Sequence, residues 1–358
     1  MNSSKKIILG MSGGVDSSIS AVILKDMGYK VSGLFMKNWE EDDTNNQCSS
    51  KKDYEDALRI SKKLGIKLSI VNFSDRYWDL VFKNFIIELN QGKTPNPDIL
   101  CNEQIKFNYF MNHALSLGCD KVATGHYAML KNGNEINTLH MPLDKIKDQT
   151  YFLYILKQKI MKDLIFPLEN IHKNDVKKIA KDFDLKVYEK KESMGICFIG
   201  KKDFSRFIQK YINSKPGLII DEDGHELGKH HGLFNYTIGQ RRGINIGGKK
   251  GFPDKPWFVI KKVISNNSLI ISQDESRLLR NGDVNISKTN WINIIPQSNK
   301  IYHARFRHGG KLIPIKINST SDTSIKIKLM ESERAITPGQ SAVIYKDDEC
   351  IGGGIIDA

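Results

Sequence analysis

At 358 residues, with 40% apolar and 27% charged residues, the chain has globular composition and room for two or three domains, each with its own core. No apolar run approaches the roughly 20 residues that cross a bilayer, and MNSSKK leads straight into a strand pattern without a signal or transit segment. The expectation is a cytoplasmic protein with no membrane partner. A formal net charge of +13, from 54 Lys and Arg against 41 Asp and Glu, favours a polyanionic partner without naming one. Cys48, Cys101, Cys119, Cys197 and Cys350 are five cysteines with no C-x-x-C pair, which argues against a disulfide framework or a zinc ribbon and leaves buried or catalytic thiols.

Over the first 130 residues, short β-rich runs alternate with amphipathic helical ones, the pattern of a parallel sheet with crossover helices. Strands are expected at 5–10, 29–36, 67–73 and 121–126. Helical periodicity covers 53–65 and 74–92, with Ser74 as a cap and Gly92 as a stop, and a third helix runs over roughly 101–117 and ends at Gly118. This is a doubly wound α/β domain, whose ligands belong at the carboxyl ends of the strands. After about residue 208 the character changes. Residues 216–275 are rich in Gly, and PWFVIKKV and SLIISQ read as strands joined by a hairpin turn at Asn266 and Asn267. From 277 onward, WINII, KIYHARFRH, KLIPIKIN, SIKIKLME, SAVIYK and ECIGGGIID read as short strands of a small barrel or sandwich.

The stretch GMSGGVDSS at 10–18 lies between the first strand and the first helix. A glycine-rich turn there places backbone amides at a helix amino terminus, where the dipole and the unpaired donors favour an anion. Gly13 and Gly14 permit close approach, and Ser12, Ser17 and Ser18 add hydroxyl donors; the plain alternative is a flexible turn capped by Asp16 or Ser17. The loop has neither the Lys of G-x-x-x-x-G-K-[ST] nor the spacing of G-x-G-x-x-G. Its S-G-G-x-D-S pattern resembles the N-type ATP pyrophosphatases, which implies ATP cleaved between its α and β phosphates to adenylate a substrate oxygen, with Asp16 near Mg2+ and the phosphates.

Residues 94–107, TPNPDILCNEQIKF, put Asp98 and Cys101 near the start of the third helix, because the two prolines forbid helix before Asp98. The expectation is a thiolate stabilised by the helix dipole, with Asp98 about one turn away to exchange a proton. The plain alternative is a small buried residue beside a cap. In KKESMGICFIG, Cys197 sits between glycines, and Lys190, Lys191, Lys201 and Lys202 make its surroundings positive. Two such thiols beside an adenylating loop suit sulfur transfer: one carries a persulfide and the other resolves it as a disulfide. Cys119 reads as structural.

GMSGGVDSS, TPNPDILCN, ATGHYA, KDQTYFL, ESMGICFIG, HHGLFNYTIGQRRG, TPGQSAVIY and CIGGGII follow one another along essentially the whole chain. On these strings the sequence resembles the bacterial tRNA-specific 2-thiouridylases of the PP-loop superfamily. The resemblance implies a PP-loop adenylating domain over 1–208, a small central tRNA-binding domain over 209–276 and a C-terminal tRNA-binding β-barrel over 277–358. It implies ATP held by Gly10, Met11, Ser12, Gly13, Gly14, Val15, Asp16 and Ser17 with Met36 and Gly125, and Mg2+ alongside. It implies adenylation of the C2 oxygen of a wobble uridine, sulfur delivered by a Cys197 persulfide, Cys101 as partner nucleophile and Asp98 as acid or base. Asn96 and Pro97, with Asp98, would contact the flipped base.

The same resemblance assigns RNA contacts to His126, Lys147, Asp148, Gln149, Arg305, Phe306 and Gln340, the Arg–Phe pair suiting phosphate contact plus stacking. Its implied partners are tRNAs for Lys, Glu and Gln and a persulfide-donating protein. KDQTYFL departs slightly, with Thr150 where Ser is expected, which keeps the hydroxyl. The rival readings are another adenylating enzyme acting on RNA, a synthetase for small metabolites, and a non-catalytic RNA-binding protein with a decayed loop.

Overall fold

A computed structural model describes residues 5–40, 49–190 and 204–357. The chain opens with β1 (Lys6–Gly10), α1 (Val15–Asp26), β2 (Lys30–Lys37), α2 (Ser49–Lys63) and β3 (Lys67–Asn72). A long helical stretch follows as α3 (Ser74–Tyr77), wide π turns over Trp78–Phe82, and α4 (Lys83–Asn90). A second comprises α5 (Pro97–Leu100), π turns over Cys101–Phe110, and α6 (Met111–Ser116), before β4 (Lys121–Ala123). Then come β5 (Met129–Asn132), β6 (Asn137–His140), α7 (Gln158–Met161), β7 (Leu164–Ile165), α8 (Lys173–Asp182) and α9 (Phe204–Ile208).

β3-β2-β1-β4-β7 form one parallel sheet, with the order reversing about β1. Side chains alternate across a strand, so the run Ile7-Ile8-Leu9 feeds two cores. Ile7 and Leu9 pack with Val15, Ile19, Ala57, Ile60 and Val176 from α1, α2 and α8, whereas Ile8 packs with Phe107, Phe110, Met111 and Val122 on the other face. Each such side chain, fully buried, contributes about 1.5–3 kcal/mol.

The helix starts differ from the sequence reading. Ser74 is the first helical residue rather than the cap, because the Asn72 side chain accepts its N–H at 2.9 Å. The third helix begins at Pro97, not near 101: a proline at the first position has no N–H to leave unpaired, and Asn96 caps it by accepting the Asp98 N–H at 3.1 Å. The fourth strand ends at Ala123, three residues short of the expected limit.

In the central part, β8 (Gly217–Ile220), β9 (Glu226–His230), β10 (Phe258–Val263) and β11 (Ser268–Ser272) form a sheet in the order β10-β11-β8-β9. The expected hairpin joins β10 to β11, with Asn267 at φ 53°. The last part comprises β12 (Leu279–Trp291), β13 (Ile301–Arg305), β14 (Ile313–Thr320), β15 (Ser324–Arg334), β16 (Ser341–Lys346) and β17 (Glu349–Ile356). Pairing of β12 with both β15 and β17 closes these strands into a barrel. The glycine run permits the closure: a Cβ on Gly353 would lie 2.5 Å from the Ala342 oxygen and one on Gly354 2.5 Å from the Ser287 oxygen. WINII is not a strand of its own. It begins on the last residue of β12, whose polar sequence LRNGDVNISKTNW has Val284 and Ile286 as its fully buried apolar residues.

The β5–β6 hairpin extends the barrel sheet by pairing Leu139 and His140 with Cys350 and Glu349. Next to it, residues 147–154 dock on the barrel through buried polar contacts. Asp148 accepts from Arg305 Nη1 at 2.6 Å, from the Thr150 N–H at 2.9 Å and from the Thr150 hydroxyl at 2.7 Å. That hydroxyl also lies 3.1 Å from the Tyr345 hydroxyl, and Arg305 stacks over the Tyr345 ring at 5.3 Å. Tyr151 donates to the Ser341 carbonyl at 3.0 Å. Breaking a buried ion pair from one side leaves an uncompensated charge, which costs about 3–5 kcal/mol. Asp148→Ala is therefore expected to lower stability to urea by about that amount, whereas Asp148→Leu with Arg305→Met should recover most of it. A single variant as stable as the parent would contradict this arrangement.

Candidate active site

The glycine loop lies where β1 ends, beside the carboxyl ends of β2 and β4. The Met11 N–H donates to the Leu34 carbonyl at 3.0 Å, and the Ser12 N–H donates to the Ser17 hydroxyl at 3.3 Å. Gly13 has φ 73°, and a Cβ there would collide with the Asp53 carbonyl of α2. Gly14 is the extended residue before α1, and among the described residues no side chain caps that helix, which leaves its first-turn N–H groups without a side-chain acceptor. Met36 is half-buried at the end of β2. Gly125, beyond β4, packs so closely that a Cβ would lie 3.0 Å from the Ser17 nitrogen. Ser18 departs from the expected role of a phosphate donor: it is fully buried and its hydroxyl donates to the Gly14 carbonyl at 2.7 Å.

Three residues that the sequence reading did not place at the site surround the loop. Lys173, the buried first residue of α8, approaches both Asp16 carboxylate oxygens, at 2.6 and 2.8 Å. The Tyr127 hydroxyl donates to Asp16 at 2.9 Å, and its ring lies 5.7 Å from the Lys173 ammonium. Lys190 donates to Asp53 at 2.6 Å, to Asp56 at 2.8 Å and to the Gly13 carbonyl at 3.4 Å. Burial disfavours its charge, but hydrogen bonds to those two carboxylates outweigh it and hold its pKa above the ordinary lysine value. Lys190 thus supports the loop through its contacts with α2 and Gly13. Cys197, Lys191, Lys201, Lys202 and Cys48 lie outside the described residues.

The second helical stretch carries Asn96, Pro97, Asp98 and Cys101 on its first turns, and Cys101 shares a cluster with Trp39, two residues beyond β2, against which Met36 also packs. Its approach is fixed by the barrel: the Thr94 N–H donates to the Pro338 carbonyl at 3.0 Å, and Gln340 Nε2 donates to the Thr94 carbonyl at 2.5 Å. Asp98 is half-buried, but Cys101 is wholly enclosed, packed in a cluster with Trp39, Tyr77, Phe82 and Phe207. Burial pushes its thiol up to about 12; the Lys106 charge works against this and the Asp98 carboxylate adds to it. The expected dipole-stabilised thiolate is therefore corrected for this conformation, since desolvation outweighs the dipole. Cys119 is half-buried, and Cys350 is enclosed with its pKa raised by burial.

The residues assigned to RNA divide into two groups. His126 accepts from or donates to the Thr124 hydroxyl at 2.8 Å between the rings of Phe107 and Phe166, and burial, with the Lys106 charge, holds its imidazole neutral. Gln149 accepts the Tyr127 N–H at 2.9 Å. Half-exposed Lys147 lies on a turn tied by its N–H to Asp144 at 3.2 Å. By contrast, Asp148 and Arg305 form the interior ion pair, and Phe306 is 5% exposed within the barrel core. Read as an exposed cation beside a stacking ring, the pair is instead buried: Arg305 meets Asp148 of the docked segment, the one carboxylate in contact with it among the described residues, and Phe306 lies in the barrel core.

The family profile described as the tRNA methyl transferase HUP domain matches residues 5–201, that of the tRNA methyl transferase PRC-barrel domain residues 205–273, and that of the aminomethyltransferase beta-barrel domain residues 281–356. A tRNA-specific 2-thiouridylase MnmA of Hahella chejuensis is 44% identical over 359 residues, covering 99% of this chain and 98% of that protein. Another, of Vesicomyosocius okutanii, is 46% identical over 357 residues, covering 100% and 99%. The chain belongs to the tRNA-specific 2-thiouridylase family. In this member of the family, Asp16 lies on the first turn of α1 and Asp98 and Cys101 on the first turns of the second helical stretch, whose approach the barrel holds.

A thiol with its pKa near 12 is almost all protonated at pH 8, and thiolate appears only as pH rises towards that value. Peptide mapping after iodoacetamide treatment at pH 8 is expected to show Cys101 alkylated at least about a hundredfold more slowly in the native protein than in urea, as thiolate fraction requires. A native alkylation rate that levels off near pH 8.5 would contradict this environment.

Proposed function

We propose that the protein carries out ATP-dependent 2-thiolation of the wobble uridine of tRNA. The observations that carry the reading are the glycine loop at the end of β1, whose helix no side chain caps and whose Asp16 meets Lys173, and the packing of Cys101 in the cluster that Trp39 and Met36 join from the end of β2. The first-turn N–H groups of α1 would receive the ATP phosphates, with Lys173 supplying positive charge against them. Mg2+ is held in such sites by one or two carboxylates together with the substrate phosphates, and Asp16 is the carboxylate placed for this; when bound, the ion would neutralise phosphate charge.

The uracil C2 oxygen attacks the α phosphorus, forming a C–O–P link as the bond to the β phosphate breaks and pyrophosphate leaves. The outer sulfur of a Cys197 persulfide then bonds to C2. Cys101, after losing its proton, attacks the inner sulfur, the S–S bond breaks, and AMP departs with the former uracil oxygen. This leaves a Cys101–Cys197 disulfide, which an external thiol reductant returns to two thiols. Asp98 is the neighbouring group placed to take the Cys101 proton. Opening of the aromatic cover over Cys101 must precede that step, since the enclosed thiol is protonated at neutral pH.

A protein donor that supplies the persulfide, tRNAs for Lys, Glu and Gln, and a cytoplasmic setting complete the reading. Wild-type protein incubated with ATP, a persulfide donor and bulk tRNA is expected to raise the 2-thiouridine content found by nucleoside mass spectrometry. Cys197→Ala is expected to abolish that product and retain ATP binding. Undiminished thiolation by the variant would remove Cys197 from the sulfur path.

A further inference from the structure

Asp16, the carboxylate beside the phosphate loop, is gripped by two side chains, and both lead back to one short turn. Lys173 at the start of α8 reaches its two oxygens at 2.6 and 2.8 Å, and the Tyr127 hydroxyl donates to it at 2.9 Å. The turn over 144–149 holds each of these residues by its backbone. Gln149 clasps Tyr127 twice: its Oε1 accepts the Tyr127 N–H at 2.9 Å, and its own N–H donates to the Tyr127 carbonyl at 2.9 Å. Asp144 accepts the Lys173 N–H on Oδ2 at 2.9 Å.

The carboxylate of Asp144, a residue only 7% exposed, is divided between two parts of the chain. Oδ1 closes the turn by accepting the N–H groups of Ile146 at 3.1 Å and Lys147 at 3.2 Å. Oδ2 reaches 29 residues along the chain to Lys173, with the His172 imidazole 3.9 Å away. Burial works against the charge, but the three N–H bonds, helped by His172, outweigh it and hold this carboxyl below the usual carboxylate range. A carboxylate that only closed its own turn would need one oxygen. The second fixes the first residue of α8, and with it the root of the side chain that reaches Asp16. The same turn carries half-exposed Lys147 and Gln149, two of the residues that the family resemblance assigns to RNA.

We propose that Asp144 is a positioning residue that couples RNA binding to the ATP site: it ties the turn bearing Lys147 and Gln149 to Lys173, so that RNA seated on the turn steadies the Asp16–Lys173 pair where the ATP phosphates would enter. The inference rests on the thiolation reading and adds to it a mutual dependence of the two substrates' affinities. Ordering done for the first ligand need not be repeated for the second, so each tightens the other by the same factor.

The test measures binding of α,β-methylene-ATP, which cannot be cleaved between those phosphates, by titration calorimetry with and without a saturating unmodified transcript of a tRNA for Glu. The transcript is expected to lower the Kd of the wild-type protein for the analogue at least about fivefold, and the analogue to lower that for the transcript by the same factor. Asp144→Asn offers one acceptor oxygen, which can serve the turn or α8 but not both. That variant is expected to bind each ligand alone and to lose most of the factor. A residue that only stabilised the fold would lower the melting temperature and leave the factor unchanged. Tyr127→Phe, which cuts the other arm at Asp16, is expected to reduce the factor too, and decides the matter where circular dichroism shows Asp144→Asn unfolded. Wild-type protein that binds the two ligands independently overturns the proposal, as does either variant if it folds and keeps the parent factor. Wild-type protein that binds neither ligand would instead overturn the thiolation reading itself.

Discussion

The end of β1 sets the condition that the rest of the site meets. A parallel strand buried on both faces delivers the chain to the sheet edge, where it must turn into α1 with the first-turn N–H groups unpaired. Water, a side chain or an anion must satisfy them, and among the described residues no side chain does. Gly13 lets the turn press against α2, Gly125 brings the end of β4 against the helix start, and the Asp16–Lys173 pair places a buried cation at the same point. The proposed phosphate site therefore rests on backbone geometry first and charge second.

The barrel contributes alignment. Gln340 and the Pro338 carbonyl fix Thr94 just before the helix bearing Asp98 and Cys101, while Asp148, Thr150 and Tyr151 join the barrel through Arg305, Tyr345 and Ser341. The two halves of the site, one on the phosphate loop and one on the second helix, are thus held in register by contacts between residues 150 or more positions apart. Cys101, enclosed in its aromatic cluster, is kept protonated and out of solvent.

What was legible in the sequence follows from what is local. Four strands of the parallel sheet are short runs rich in apolar residues, and the glycine loop carries its conformation in its own residues, so both were readable, whereas the two-residue β7 was not. The barrel's β12 was not, because a strand with one solvated face and few large apolar residues looks like a loop until β15 and β17 pair with it. The β5–β6 hairpin gave no sign that its partner lay in the last ten residues of the chain. Lys173 reads as one more lysine on an amphipathic helix, and only tertiary packing sets it against Asp16. The same limit misled the reading of Cys101 and of Arg305 with Phe306: sequence shows a helix start or a cation beside an aromatic, but not what covers them.

In the proposed reaction the uracil oxygen leaves with AMP, and isotope transfer tests that directly. A tRNA carrying oxygen-18 at C2 of the wobble uridine would be incubated with the protein, ATP and a persulfide donor, and the released AMP weighed by mass spectrometry. One labelled oxygen in AMP is expected for each 2-thiouridine formed. Thiolation accompanied by unlabelled AMP would contradict that reaction.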